Sequence, residues 1–90
     1  MKFIKPHLKL HKIDNQLVLD IDTYELKDII EDYLIEECDI EYEYYKELSV
    51  DKIGYRKFRL YFSNNLSKKK LIEVLEKYSD EELIKIVKSQ

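Results

Sequence analysis

Between residues 3 and 13 polar and apolar positions alternate. Ile4, Leu8 and Leu10 fall on one side, and Phe3, Lys5, His7, Lys9 and His11 on the other. A period of two sends successive side chains to opposite faces of an extended chain, so the pattern predicts a strand with one core face. Pro6 has no N–H to give to a ladder, which puts this strand at a sheet edge or interrupts it there. A second alternation follows over residues 16–22, with Leu17, Leu19 and Ile21 against Val18, Asp20 and Asp22. Asp14-Asn15 lies between the two, and both residues tolerate the left-handed backbone of a two-residue hairpin. Closing the hairpin there sets Leu10 opposite Leu19 and Leu8 opposite Ile21. On the other face Lys9 meets Asp20 and His7 meets Asp22, so core matches core and charge meets opposite charge.

The period then changes. Over residues 23–38 Leu26, Ile29, Ile30, Tyr33 and Leu34 recur at helical spacing, and Glu25, Asp28, Asp32 and Glu36 line the opposite side. Asp22 and Glu25 have capping-box spacing, which predicts Asp22 as the N-cap. Alternation returns over residues 40–47 (Ile40, Tyr42, Tyr44 against Glu41, Glu43, Tyr45) and over residues 55–62 (Phe58, Leu60, Phe62 against Tyr55, Lys57, Arg59, Tyr61). Residues 49–54 supply the turn. The register that satisfies both faces pairs Ile40 with Phe62, Tyr42 with Leu60, Tyr44 with Phe58 and Glu43 with Arg59. Ser67 caps a predicted helix over residues 68–78 with Leu71, Val74, Leu75 and Tyr78 as its stripe. Ser79 and Glu82 form a capping box for a last helix over residues 80–89, where Leu83, Ile84 and Val87 are apolar.

The expected fold is a single α+β domain over residues 1–90, in the order ββαββαα. Its two layers are an antiparallel sheet of about four strands and helices on one face. Periodicity leaves the strand order open. The other sheet face is open and polar, bearing His7, Lys9, His11, Asp20, Glu43, Lys57, Arg59 and Tyr61.

Composition narrows the class. No apolar run approaches the ~20 residues of a membrane span, and the first twelve residues have no signal-peptide pattern. Cys38 is the only cysteine, which excludes an internal disulfide and a cysteine-rich zinc site. A cytoplasmic location is expected. The chain has no Ala and no Trp and one Gly, beside eleven Ile, twelve Leu and fourteen Lys. That bias fits an AT-rich genome, that of a bacterium, an archaeon, a phage or an archaeal virus, and together with the small size it points to a phage, a virus or a mobile element.

Charge changes the picture most. The total is −3, from 16 Lys+Arg against 19 Asp+Glu, but it is blocked along the chain. Residues 1–13 carry four Lys and no acid, residues 14–47 thirteen acids and two Lys, residues 48–70 seven basic residues and one acid, and residues 71–90 five acids and three Lys. Strand pairing neutralises much of this. The acidic helix is harder to neutralise, because Lys27 is the only cation near its acids. The leading expectation is therefore a small non-enzymatic module that binds another protein, one with a basic surface. It would act as an inhibitor, immunity or regulatory factor through Glu25, Asp28, Asp32, Glu36, Glu37, Glu41, Glu43 and Tyr45.

Two alternatives stand beside it. A nucleic acid could lie on Tyr55, Lys57, Arg59 and Tyr61 of the open face together with Lys68, Lys69 and Lys70, which crowd a helix N-terminus that favours anions. A homodimer would instead close the open face against a second copy. Dedicated chemistry is not expected. His7 and His11 share a strand face but stand ~13 Å apart at ~3.3 Å per residue, too far for one metal ion. Gly54 is the only glycine, so no glycine-rich loop cradles phosphate, and no cofactor is expected. Leu48, Val50 and Ile53 form a candidate apolar patch in the second hairpin.

Overall fold

The computed structural model describes residues 3–48, 50 and 54–89. Four strands form one antiparallel sheet: β1 (Leu8–Ile13), β2 (Gln16–Asp22), β3 (Tyr44–Leu48) and β4 (Lys57–Tyr61). Their order is β1-β2-β4-β3. Three helices cover one face: α1 (Tyr24–Asp32), which continues into a π-helical turn over Tyr33–Glu37, α2 (Lys68–Glu76) and α3 (Asp80–Lys88). This is the expected two-layer α+β architecture in the expected order.

The first hairpin forms as its pattern demands. Asp14 and Asn15 both take positive φ, 50° and 67°, the conformation of a type I′ turn. Leu8 pairs with Ile21, Lys9 with Asp20 and Leu10 with Leu19. Pro6 precedes the strand rather than interrupting it, and β1 is an edge. The helix-side core joins Leu8, Leu17, Leu19, Ile21, Leu60 and Phe62 of the sheet region to Leu26, Ile30 and Leu34 of α1 and to Leu71, Leu75, Leu83 and Val87 of the last two helices. Burying such aliphatic and aromatic side chains contributes about 1.5–3 kcal/mol each.

Helix ends follow local capping. Ser67 Oγ accepts from the Lys70 N–H and Ser79 Oγ from the Glu82 N–H, both at 3.3 Å. The α1 cap lies one residue later than expected. Thr23, not Asp22, receives the Leu26 N–H. Asp22 remains in the sheet, where His7, just before β1, and Lys57 of β4 hold its carboxylate. Thr23 sits at φ 69°, a strained conformation for a β-branched residue, and its N–H donates to the Arg56 carbonyl at 2.6 Å.

The end of α1 departs from a regular helix for a packing reason. In an unbroken α-helix Glu37 would follow Tyr33 and Leu34 back toward the core. The wider π turn carries Ile35, Glu36 and Glu37 outward and leaves Cys38 half-buried. The Ile40 N–H then donates to the Leu34 carbonyl at 2.8 Å, and Ile40 enters the core.

The second hairpin differs in register. Tyr44 pairs with Tyr61, Tyr45 with Leu60, Lys46 with Arg59 and Glu47 with Phe58. Relative to the expected pairing the strand is displaced by three residues, and an odd displacement exchanges its faces. Ile40 and Tyr42 lie before β3 rather than in it, so Tyr45 takes the helix side and Tyr44 the open side. Glu43 does not meet Arg59. Its carboxylate accepts from the Gln16 amide at 3.2 Å, while Arg59 is engaged by Asp20. The turn and the Ile53 end of the predicted apolar patch fall on residues 49 and 51–53, outside the described residues. Val50 is exposed.

Candidate binding surfaces

The open face of the sheet is a lattice of compensated charge. Alternation aims Asp20 and Asp22 of β2 away from the helices, and the registers on both sides bring cations to them. Arg59 grips Asp20 with two hydrogen bonds, Nε to Oδ1 at 2.6 Å and Nη2 to Oδ2 at 2.9 Å. His11 Nε2 reaches the same carboxylate at 2.9 Å. Asp22 is held by His7 Nδ1 at 3.0 Å and by Lys57 Nζ at 3.2 Å. Tyr44 and Tyr61 stack beside them with ring centres 4.4 Å apart, and Lys46 lies over Tyr61. Tyr55 meets the His7 ring edge-on. Among the described residues no group of His, Cys, Asp and Glu side chains is arranged to hold a metal ion.

These contacts set the titration of Asp20. Burial alone would raise its pKa, but the hydrogen bonds and charges of Arg59 and His11 outweigh burial and hold it below its ordinary value. Because folding lowers this pKa, the stabilisation is fully present above the unfolded value of about 3.9 and is lost as pH falls through the lower folded value. The difference in urea midpoint between wild type and Asp20→Asn should therefore be constant near neutral pH and shrink below about pH 4. Circular dichroism titrations across that range would measure it, and a difference unchanged at low pH would refute the assignment.

The second surface is the outer side of α1. Lys27, which the sequence offered as the neutraliser of the helix acids, is buried and faces the sheet. Its ammonium lies 3.1 Å from Glu31 and 3.8 Å from the centre of the Tyr45 ring, with Tyr24 and Phe58 completing an aromatic enclosure. Tyr42 donates its hydroxyl to Glu31, and burial followed by this hydrogen bond raises the Tyr42 pKa above its usual range. The inward face of the helix is thus Leu26, Lys27, Ile30, Glu31 and Leu34. With Lys27 inside, no cation of α1 faces outward. Asp28, Asp32, Glu36, Glu37 and Glu41 are exposed and pair with no described cation. Glu25 is exposed on the same helix. Tyr24 and Ile35, 48% and 41% exposed, lie at helical spacing with Asp28 and Asp32. Tyr45, 45% exposed, borders this surface through Lys27 rather than facing the open sheet.

Sequence reasoning missed Lys27, Glu31, Tyr24 and Ile35. The signal for the first two was present: they are four apart, flank the apolar stripe, and precede a tyrosine-rich strand able to enclose a cation.

The residues of the nucleic-acid alternative do not converge. Arg59 and Lys57 are committed to Asp20 and Asp22. Lys68 lies beside Lys12, Asn15 and Leu17 at the hairpin end of β2, whereas Lys57 stands opposite Asp22 at the other end. Lys68 begins a helix that covers one face of the sheet, and Lys57 holds Asp22 on the other. Among the described residues no helix is long and apolar enough to cross a membrane. No protein-family profile matches the chain, and no curated protein or solved structure matches it.

Proposed function

We propose that this chain is a non-enzymatic module that binds a basic protein surface through the outer face of α1 and its π-helical extension, as an inhibitory or regulatory factor. The observation that carries the reading is the inward turn of Lys27. It leaves Asp28, Asp32, Glu36 and Glu37 without a described counter-ion and set among the exposed side chains of Tyr24, Ile35 and Tyr45. Unscreened carboxylates steer encounter with a cationic partner, and exposed tyrosines supply the apolar anchors on which interface energy concentrates. By contrast, His7, His11, Lys57 and Arg59 of the sheet face are already paired with Asp20 and Asp22 of the same face.

The test is charge reversal. Asp28→Lys, Asp32→Lys and Glu36→Lys together should abolish capture of nuclease-resistant protein partners from the native host while leaving the fold intact by circular dichroism. Association of the wild type should slow steeply as salt rises, since exposed charges are screened beyond ~10 Å at about 0.1 M ionic strength. Retained capture in the triple variant would overturn the reading. A salt-independent dimer in sedimentation, with no captured partner, would favour the closed open-face homodimer instead.

A further inference from the structure

The outer edge of β1 and the cations around it are used by none of the contacts above. The Asp22 N–H donates to the His7 carbonyl at 3.1 Å. In this antiparallel register the hydrogen-bonded pairs are therefore those of Lys9, His11 and Ile13 with β2. The intervening residues Leu8, Leu10 and Lys12 aim their backbone groups away from β2. The Leu8 N–H turns back to the Lys5 carbonyl at 3.5 Å, which leaves the Leu10 and Lys12 N–H groups facing outward.

A groove of about 450 Å³ runs along this edge. Phe3, Ile4, Leu8 and Leu10 give it an apolar floor, Lys5, Lys9 and Lys68 give it a cationic rim, and no carboxylate lines it. Ile4 is 74% exposed. Lys5 is engaged by Asp80 and the Tyr78 carbonyl, but Lys9, Lys12, Lys68, Lys69 and Lys70 pair with no described acid.

We propose that this groove receives an extended peptide of alternating acidic and apolar residues, added to β1 as a fifth strand. The outward N–H and C=O groups of Leu10 and Lys12 would pair with the peptide backbone, as an open sheet edge does in strand addition. Apolar side chains of one parity would enter the floor beside Leu8 and Leu10, and carboxylates of the other parity would meet Lys9, with Lys68 at the rim. Charge complementarity selects an acidic occupant. The apolar floor and the row of unpaired backbone groups select a peptide over a nucleic acid, whose binding rests on phosphate contacts and base stacking. This site lies on the opposite edge of the sheet from β3 and carries the opposite charge to α1, so it is independent of the function proposed above.

The probe is a fluorescein-labelled octapeptide of alternating Glu and Val, followed by anisotropy against the full chain. Saturable binding is expected, with a loss of about tenfold or more in Lys12→Pro, which removes the outward N–H and leaves the β2 ladder untouched. Lys12→Gln should cost less than Lys12→Pro, and Lys9→Glu with Lys68→Glu should abolish binding. A peptide of equal charge with Gly in place of Val should bind at least about tenfold more weakly. Amide exchange in the unaltered chain gives a second measurement, with peptide-dependent protection expected at Leu10 and Lys12. Absence of that protection, or tighter binding by a single-stranded oligonucleotide than by the peptide, would overturn the proposal.

Discussion

Glu31→Ala should destabilise the fold by about 3–5 kcal/mol, the cost of leaving a buried charge without its partner. Lys27 is 3% exposed and its ammonium has one carboxylate among the described residues, 3.1 Å away. The Tyr24, Tyr45 and Phe58 rings stabilise the cation by about 0.5–2 kcal/mol, which does not replace an anion. Removing Glu31 also strands the Tyr42 hydroxyl that donates to it. Total stability for a chain of this length is about 5–13 kcal/mol, so the variant should lose about a quarter of it or more, read as a lower urea midpoint with unchanged slope. Replacing both members with apolar residues of similar size, Lys27→Met with Glu31→Leu, should recover most of the loss, because the desolvation of both charges is then avoided. A double variant as unstable as Glu31→Ala would show that the loss does not come from stranding the Lys27 charge. The outer carboxylates are untouched in these variants, so partner capture should survive wherever the fold does.

Asp20→Ala should cost about 3 kcal/mol, since it removes the carboxylate that joins His11 of β1 to Arg59 of β4 across the centre of the sheet. Asp20 is 9% exposed. Its two oxygens take both donors of the Arg59 fork and the His11 ring nitrogen. Truncation leaves Arg59, whose side chain is 20% exposed, beside Lys46 with no described anion near it. A double-mutant cycle with Arg59→Ala isolates the interaction. The coupling should be at least about 1.5 kcal/mol, in the range of hydrogen bonds to charged groups, and a coupling near zero would mean that the fork contributes only geometry.

The two buried clusters explain why the chain can be blocked in charge and still fold. The acids of β2 consume cations from β1 and β4 on one face, and Glu31 consumes Lys27 on the other. The remainder is polar in the electrical sense. Carboxylates remain on α1 at the β3–β4 side of the molecule, and lysines remain along β1 and at the start of α2. The net charge of −3 hides two exposed surfaces of opposite sign.

Much of this was legible in the residues. Strict alternation around Asp14-Asn15 determined the first hairpin and its register, because any odd slip would have turned Leu8, Leu10, Leu17, Leu19 and Ile21 toward solvent. The serines at positions 67 and 79 determined where α2 and α3 begin, since their hydroxyls meet N–H groups three residues on. The α+β class followed from the order of the two periods. The second hairpin was not legible, because tyrosine suits either face. Tyr42, Tyr44 and Tyr45 satisfied two registers on pattern alone, and the choice fell to packing, with Tyr45 covering Lys27 and Tyr44 stacking on Tyr61. The strand order was likewise invisible, because β2 and β4 pair through contacts between residues some forty positions apart. The decisive case is Lys27. Its sequence neighbours are acids, and local spacing placed it among them at the surface. Only the assembled sheet supplies the Tyr45 and Phe58 rings that, with Tyr24 and Glu31 of the helix itself, make an interior position favourable for its charge, and that inward turn leaves the acids of α1 exposed.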